Sequence, residues 1–220
     1  MEPQLLSLLL FLGLLGFLIV VAELLHRRWR LPAEQSRKFL HVSGGLICLL
    51  FPVFFHSHWW LLPLAVISFL VLLISYRKSW LGSIHQTKRR SIGSVIFPIP
   101  VYGCFLLAEL MHDDLFFYLP ISLLTVSDTA AEIAGHRWGH AGRSFFNGQK
   151  TLVGALAFFI TAIPVSFCWL HCNNRFDIPH ALLYAVFIAG VAALTELVTL
   201  NGWDNLSVPA AVCVIYWTLL

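Results

Sequence analysis

Charged side chains are scarce in this chain. Asp, Glu, Lys and Arg make up 11% of its 220 residues, where a soluble domain carries about 25%. With 59% apolar residues and a mean hydropathy of +0.81, that scarcity excludes an ordinary soluble fold and implies an integral membrane protein. The net charge of +3 is too small to argue for a nucleic-acid partner. None of the five cysteines forms a CxxC pair, and the odd number gives no disulfide framework. Cys48, Cys104, Cys168, Cys172 and Cys213 lie in or beside apolar runs, where a thiol behaves as a small hydrophobe. The ten histidines are scattered, without HExxH or zinc-ligand spacing. No low-complexity segment or internal repeat is present.

What the chain has in abundance is long apolar runs. Leu5 to Leu25 is too long for a signal-peptide core and has neither a basic leader nor a clear cleavage site, so it is expected to be a retained transmembrane helix. Further spans are expected near 39–56, 59–76, 92–111, 114–135, 151–171, 180–200 and 206–220. The expected architecture is an all-α polytopic bundle of about seven to eight spans, forming a single membrane domain over residues 1–220. Its polar loops fall near 34–45, 77–94, 127–154 and 196–209.

Basic residues set the orientation. Of the 14 Lys and Arg, only Arg175 falls in an even-numbered loop. The others cluster as Arg27, Arg28, Arg30, Arg37 and Lys38, then Arg77, Lys78, Lys88, Arg89 and Arg90, then Arg137, Arg143 and Lys150. The positive-inside rule places these loops in the cytoplasm and both termini outside. Every polar motif then shares one membrane face. A transporter more often carries polar groups near the midplane on paired broken helices, so the distribution favours an enzyme.

The most informative stretch couples a membrane-grade segment to two acids. Leu115 to Val126 is apolar, yet the run continues through Asp128, Glu132, Gly135 and Gly139, which share one helix face. An ionisable group inside a span costs roughly 2.5 kcal/mol or more and therefore faces a partner, a metal or water. Structural pairing with basic residues is the plainer alternative to a metal and phosphate site. At Arg37–His41, Lys38, His41, Gly45 and Cys48 share a face, and a snorkelling cation with a bonded imidazole is an equally good reading. Lys88-Arg89-Arg90 precedes Ser91 and Gly93 at a helix start, which favours an anion, or simply anchors the chain to lipid phosphates. Lys150-Thr151 follows a Gly-rich loop, but GxxxxGK[ST] is absent, so this is no P-loop. Lys150 remains a candidate point charge for a phosphate. Glu196 lies in an otherwise apolar helix, and Asp204-Asn205 could be a functional pair or a simple turn.

Taken in order, Arg37-Lys38-x-x-His41, Ser91-x-Gly93, Asp128-x-x-Ala131-x-x-x-Gly135-x-x-x-Gly139, Lys150-Thr151-x-x-Gly154 and Gly202-x-Asp204-Asn205-x-x-x-Pro209 resemble the polyprenol kinase family. That family includes dolichol kinase, phytol kinase and CTP-dependent diacylglycerol kinase. The resemblance covers about residues 34–210 and departs at Val153 and Ala155, where members often carry an acid and a serine. It implies a kinase that phosphorylates a lipid alcohol at the cytoplasmic membrane face, with CTP as donor, ATP as the other candidate, and Mg2+. Asp128 is the expected metal ligand, with Glu132 or Asp204 assisting. Asp128 or His41 would serve as base, and Lys150, Lys38, Lys88 and Arg89 would neutralise phosphate. Ser91, Gly93, Gly135, Gly139, Thr151, Gly154 and Asn205 complete the expected nucleotide-binding set. The alternatives are a membrane cytidylyltransferase that makes a CDP-lipid, or a transporter or lipid-binding protein without turnover. A bacterial-type plasma membrane is the expected location, membrane lipids are expected partners, and the oligomeric state stays open.

Overall fold

The computed structural model describes residues 2–85, 91–139, 144–145 and 150–220, with backbone alone at 85, 144 and 145. Helices dominate: α1 (Pro3–Arg28), α2 (Ala33–Cys48), α3 (Phe51–Phe54), α4 (His58–Lys78), α5 (Gly82–His85), α6 (Gly93–Ile96), α7 (Pro98–Met111), α8 (Leu115–Ser122), α9 (Asp128–Trp138), α10 (Leu152–Cys172), α11 (Ile178–Val198) and α12 (Asp204–Leu219). The antiparallel pair β1 (Ser144–Phe145) and β2 (Lys150–Thr151) leads into α10. The all-α polytopic expectation holds.

Among the described residues, six helical stretches are long and apolar enough to cross a membrane: 3–28, 33–54, 58–78, 93–111, 152–172 and 178–198. The other two expected spans are also helical. One is the composite of α8, a π-helical turn over Leu123–Ser127, and α9; the other is α12, at 16 residues a short one.

Local chemistry sets the helix ends. Pro3 opens α1, where its missing N–H costs nothing, and His26, Arg27 and Arg28 close it against the negative end of the dipole. The side chains of Ser57, Thr151 and Asp177 accept the otherwise orphaned N–H groups of Trp59, Gly154 and His180. Ser79 and His112 end α4 and α7 in the left-handed conformation.

The core is built around α8. Phe117, Leu119, Ile121, Leu123 and Leu124 are fully enclosed, with α2, α7, α10 and α12 around them. Pro120 has no N–H to give the Phe116 carbonyl one turn earlier, and the Cys213 thiol donates to that carbonyl instead, at 3.5 Å. Cys48, Cys104 and Cys213 are buried thiols, whereas Cys168 and Cys172 are exposed. At the end of the bundle remote from α9, Asp113 accepts from the Leu115 N–H at 3.0 Å, from Tyr216 Oη at 2.7 Å and from Arg175 at 2.6 Å. That knot ties α8, α12 and the α10–α11 connection together.

The π-helical turn matters for the opposite end. Its i→i+5 bonding adds a residue to the turn, which rotates everything downstream by about 100°. α9 therefore presents Asp128 and Glu132 towards α2 rather than continuing the register of α8.

Candidate active site

Side chains from α2, α9, α11, α12 and the β2 segment meet at one end of the bundle. From α2, Arg37 donates to Glu132 Oε1 at 2.8 Å, and Lys38 Nζ lies 3.7 Å from the same oxygen. One turn on, His41 Nε2 stands 2.9 Å from the Leu124 carbonyl and 3.6 Å from Asp128 Oδ2. A carbonyl can only accept, so Nε2 carries the hydrogen and the tautomer is fixed by the π-helical turn. Phe97 packs edge-on against this imidazole, with ring centres 5.4 Å apart.

The second half of the site is a carboxylate cluster. Asp128, Glu196 and Asp204 each place an oxygen within 4.8 Å of the other two. Lys150 donates to Glu196 and, at 2.7 Å, to Asp204 Oδ2. Burial on its own would lower the Lys150 pKa. The Asp204 and Glu196 carboxylates outweigh that effect and hold the ammonium above the usual lysine range. Lys150 is delivered by β2, whose next residue, Thr151, caps α10 with a 3.0 Å bond from Gly154 N–H. Asp204 opens α12, where the positive end of the helix dipole favours a carboxylate.

Backbone proximity holds the pieces together. Gly202 adopts φ +90°, and a Cβ there would collide with Gly93 N and Ser91 Oγ. The Ile92 N–H donates to the Asn201 carbonyl at 3.0 Å, and Ser91 Oγ accepts from Gly93 N–H at 3.2 Å. The Ser91–Gly93 segment thus docks onto the α11–α12 turn, beside the buried Asn205. Gly135 and Gly139 face Thr151, and Gly154 faces the Ala131 carbonyl, so these three glycines lie where α9 crosses the start of α10.

The structure therefore brings Lys38, His41, Asp128, Glu132, Lys150 and Asp204 to one place, with Ser91, Gly93 and Asn205 on the adjoining wall and Thr151, Gly135, Gly139 and Gly154 in the α9–α10 seam. Lys88 and Arg89 lie outside the described residues. Three contributors had no assigned role in the sequence: Arg37, which stood only as part of the motif before Lys38, Glu196 and the Leu124 carbonyl. Glu196 was visible only as an acid in an apolar helix, and the Leu124 carbonyl had no signal at all, because a π-helical turn leaves no compositional mark.

Four carboxylates (Asp128, Glu132, Glu196, Asp204) face three fixed cations (Arg37, Lys38, Lys150) among the described side chains of the site. Hard oxygen donors in excess of local cations suit a divalent ion such as Mg2+, which takes one or two carboxylates alongside phosphate oxygens.

The chain is similar to the phytol kinase of Synechocystis sp., with 28% identity over 230 aligned positions, 98% of this chain and 94% of that protein. The likeness supports a polyprenol- and phytol-kinase-like family. A match over nearly the whole length of both chains takes in every element of the polar cluster, from α2 to α12. No family model matches the chain, and no solved structure matches it.

Proposed function

We propose that this membrane protein is a kinase that transfers the γ-phosphoryl group of a nucleoside triphosphate, CTP in the first instance, to the hydroxyl of an isoprenoid alcohol of the phytol or dolichol type. The reading rests on one observation above all. Three carboxylates and a lysine converge at the end of an apolar bundle, next to a second cluster of two cations and an imidazole. Phosphoryl transfer asks a protein chiefly for positioning and charge neutralisation, and this is the chemistry those groups supply. The positive-inside distribution of Lys and Arg supports a cytoplasmic position for this end of the bundle, where the nucleotide is available.

In the reaction the alcohol oxygen forms a bond to the γ-phosphorus and the bond to the β,γ-bridging oxygen breaks, leaving the nucleoside diphosphate. Asp128, Glu196 and Asp204 would hold Mg2+, which supplies charge neutralisation at the phosphates when bound. Lys150 can swing from its carboxylates onto a phosphate oxygen while keeping its charge. Arg37 and Lys38 neutralise from the α2 side, with Glu132 orienting them. His41, its Nε2–H committed to the Leu124 carbonyl, acts as a positioning residue beside Asp128. The proton of the attacking hydroxyl passes to Asp128, the nearest carboxylate to that imidazole.

The test is label transfer from γ-labelled CTP or ATP, with Mg2+, to phytol, farnesol, geranylgeraniol, dolichol and diacylglycerol. A lipid monophosphate plus nucleoside diphosphate is expected. Release of pyrophosphate with a CDP-lipid product would instead identify a cytidylyltransferase.

A further inference from the structure

An apolar groove begins where the polar site ends. It runs between α1, α2, α4 and the α6–α7 segment, with a cavity volume of about 220 Å3. An engineered apolar cavity of about 150 Å3 already accepts benzene. Arg37 and His41 line its polar end, and Cys48, Phe51, Leu61 and Leu64 are among its buried walls. From Arg37 to Phe51 the rise is about 20 Å at 1.5 Å per residue, some two thirds of a hydrocarbon core of about 30 Å.

Two adjacent glycines on α2 have opposite roles in this region. A Cβ on Gly45 would overlap the Thr125 side chain, so Gly45 lets α2 close on the π-helical turn. A Cβ on Gly44 meets nothing within 4 Å, although Gly44 lines the groove. Gly16 on α1 is the same: it lines the groove and has open space where a side chain would be. The groove is thus kept wide by glycine on two of its walls, and its polar end lies beside the Asp128–His41 pair.

Resting on the kinase reading above, we infer that this groove holds the hydrocarbon chain of the alcohol substrate, with the hydroxyl at His41 and Asp128, and that Gly44 and Gly16 set the chain length and bulk it accepts. A bulk-lipid acyl chain fits less well as the resident. The polar end offers a cation, an imidazole and a nearby carboxylate, which match a hydroxyl about to receive a phosphoryl group. A hydrocarbon tail alone would use none of them.

The test uses the full-length protein in lipid nanodiscs, with geraniol, farnesol, geranylgeraniol and phytol as a length series. Gly44→Leu and Gly16→Leu are expected to raise the KM for geranylgeraniol relative to geraniol at least about tenfold, the scale of methylene-sized changes in an apolar pocket. Gly103→Leu is the control, because its Cβ also meets nothing within 4 Å but it lies outside the groove lining; its length profile should match wild type. A diazirine-bearing prenyl alcohol should label the Gly44–Phe51 segment of the wild-type protein and be displaced by geranylgeraniol but not by phospholipid. The inference is overturned if the three leucine variants share one length profile, if the label lands elsewhere, or if phospholipid displaces it equally well. Photolabelling needs no turnover. A wild-type protein that is labelled in the groove but transfers no phosphoryl group would refute the kinase reading and leave the groove assignment standing.

Discussion

Replacing Lys150 by Met would expose how the carboxylate cluster is held together. The ammonium lies against Glu196 and Asp204, and the three side chains are only 13%, 7% and 15% exposed. Methionine keeps most of the volume and removes the charge, leaving two buried carboxylates facing each other with Asp128 close by. Breaking a buried ion pair by deleting one partner costs about 3–5 kcal/mol. For a chain of this size each kcal/mol moves the melting temperature by roughly 2–4 °C, so a fall of about 6–20 °C is expected in a detergent thermal-shift assay. Two further readouts separate electrostatics from lost packing. Adding Glu196→Gln should recover part of the loss, because it removes one of the uncompensated charges, and the two substitutions should be non-additive. Added Mg2+ should raise the melting temperature of Lys150→Met more than that of wild type, because a divalent ion bound only by the folded state stabilises it. A Lys150→Met protein that melts with wild type and ignores both Glu196→Gln and Mg2+ would refute this account of the cluster.

Other perturbations probe the remaining contacts. Gly45→Ala should destabilise by about 1–3 kcal/mol because its Cβ meets the buried Thr125 side chain, whereas Gly44→Ala should leave the melting temperature unchanged; equal effects would contradict the packing assigned to α2. Arg37→Ala removes a partly exposed pair with Glu132, so stability should change by no more than about 1 kcal/mol while the nucleotide KM rises. Asp113→Asn loosens the remote knot with Arg175 and Tyr216, and should lower thermal stability while leaving the KM for nucleotide and alcohol intact. Chelation of divalent ions should abolish transfer, with activity restored by Mg2+ alone.

Much of the bundle was legible because hydropathy marks lipid-facing helices directly. Spans expected at 92–111, 151–171 and 180–200 are observed at 93–111, 152–172 and 178–198. The second span begins at Ala33 rather than near residue 39, because its first turns carry Glu34, Arg37 and Lys38 and are helical without being apolar. That polar overhang is the α2 part of the candidate site. Asp128 and Glu132 could be picked out because acids are costly in a span. The pairings could not, since Arg37 meets Glu132 across 95 residues and Lys150 meets Glu196 and Asp204 across 46 and 54 through the folding back of α10 on α11. The π-helical turn was equally hidden, although it decides which way Asp128 points and gives His41 its carbonyl partner.

The central claim is tested most directly by the products formed from γ-labelled nucleotide, Mg2+ and a prenyl alcohol, comparing wild type with Asp128→Asn. The account predicts a labelled lipid monophosphate and unlabelled nucleoside diphosphate from wild type, and no labelled lipid from the variant. Transfer at the wild-type rate by Asp128→Asn, or no transfer to any alcohol by wild type, would contradict it.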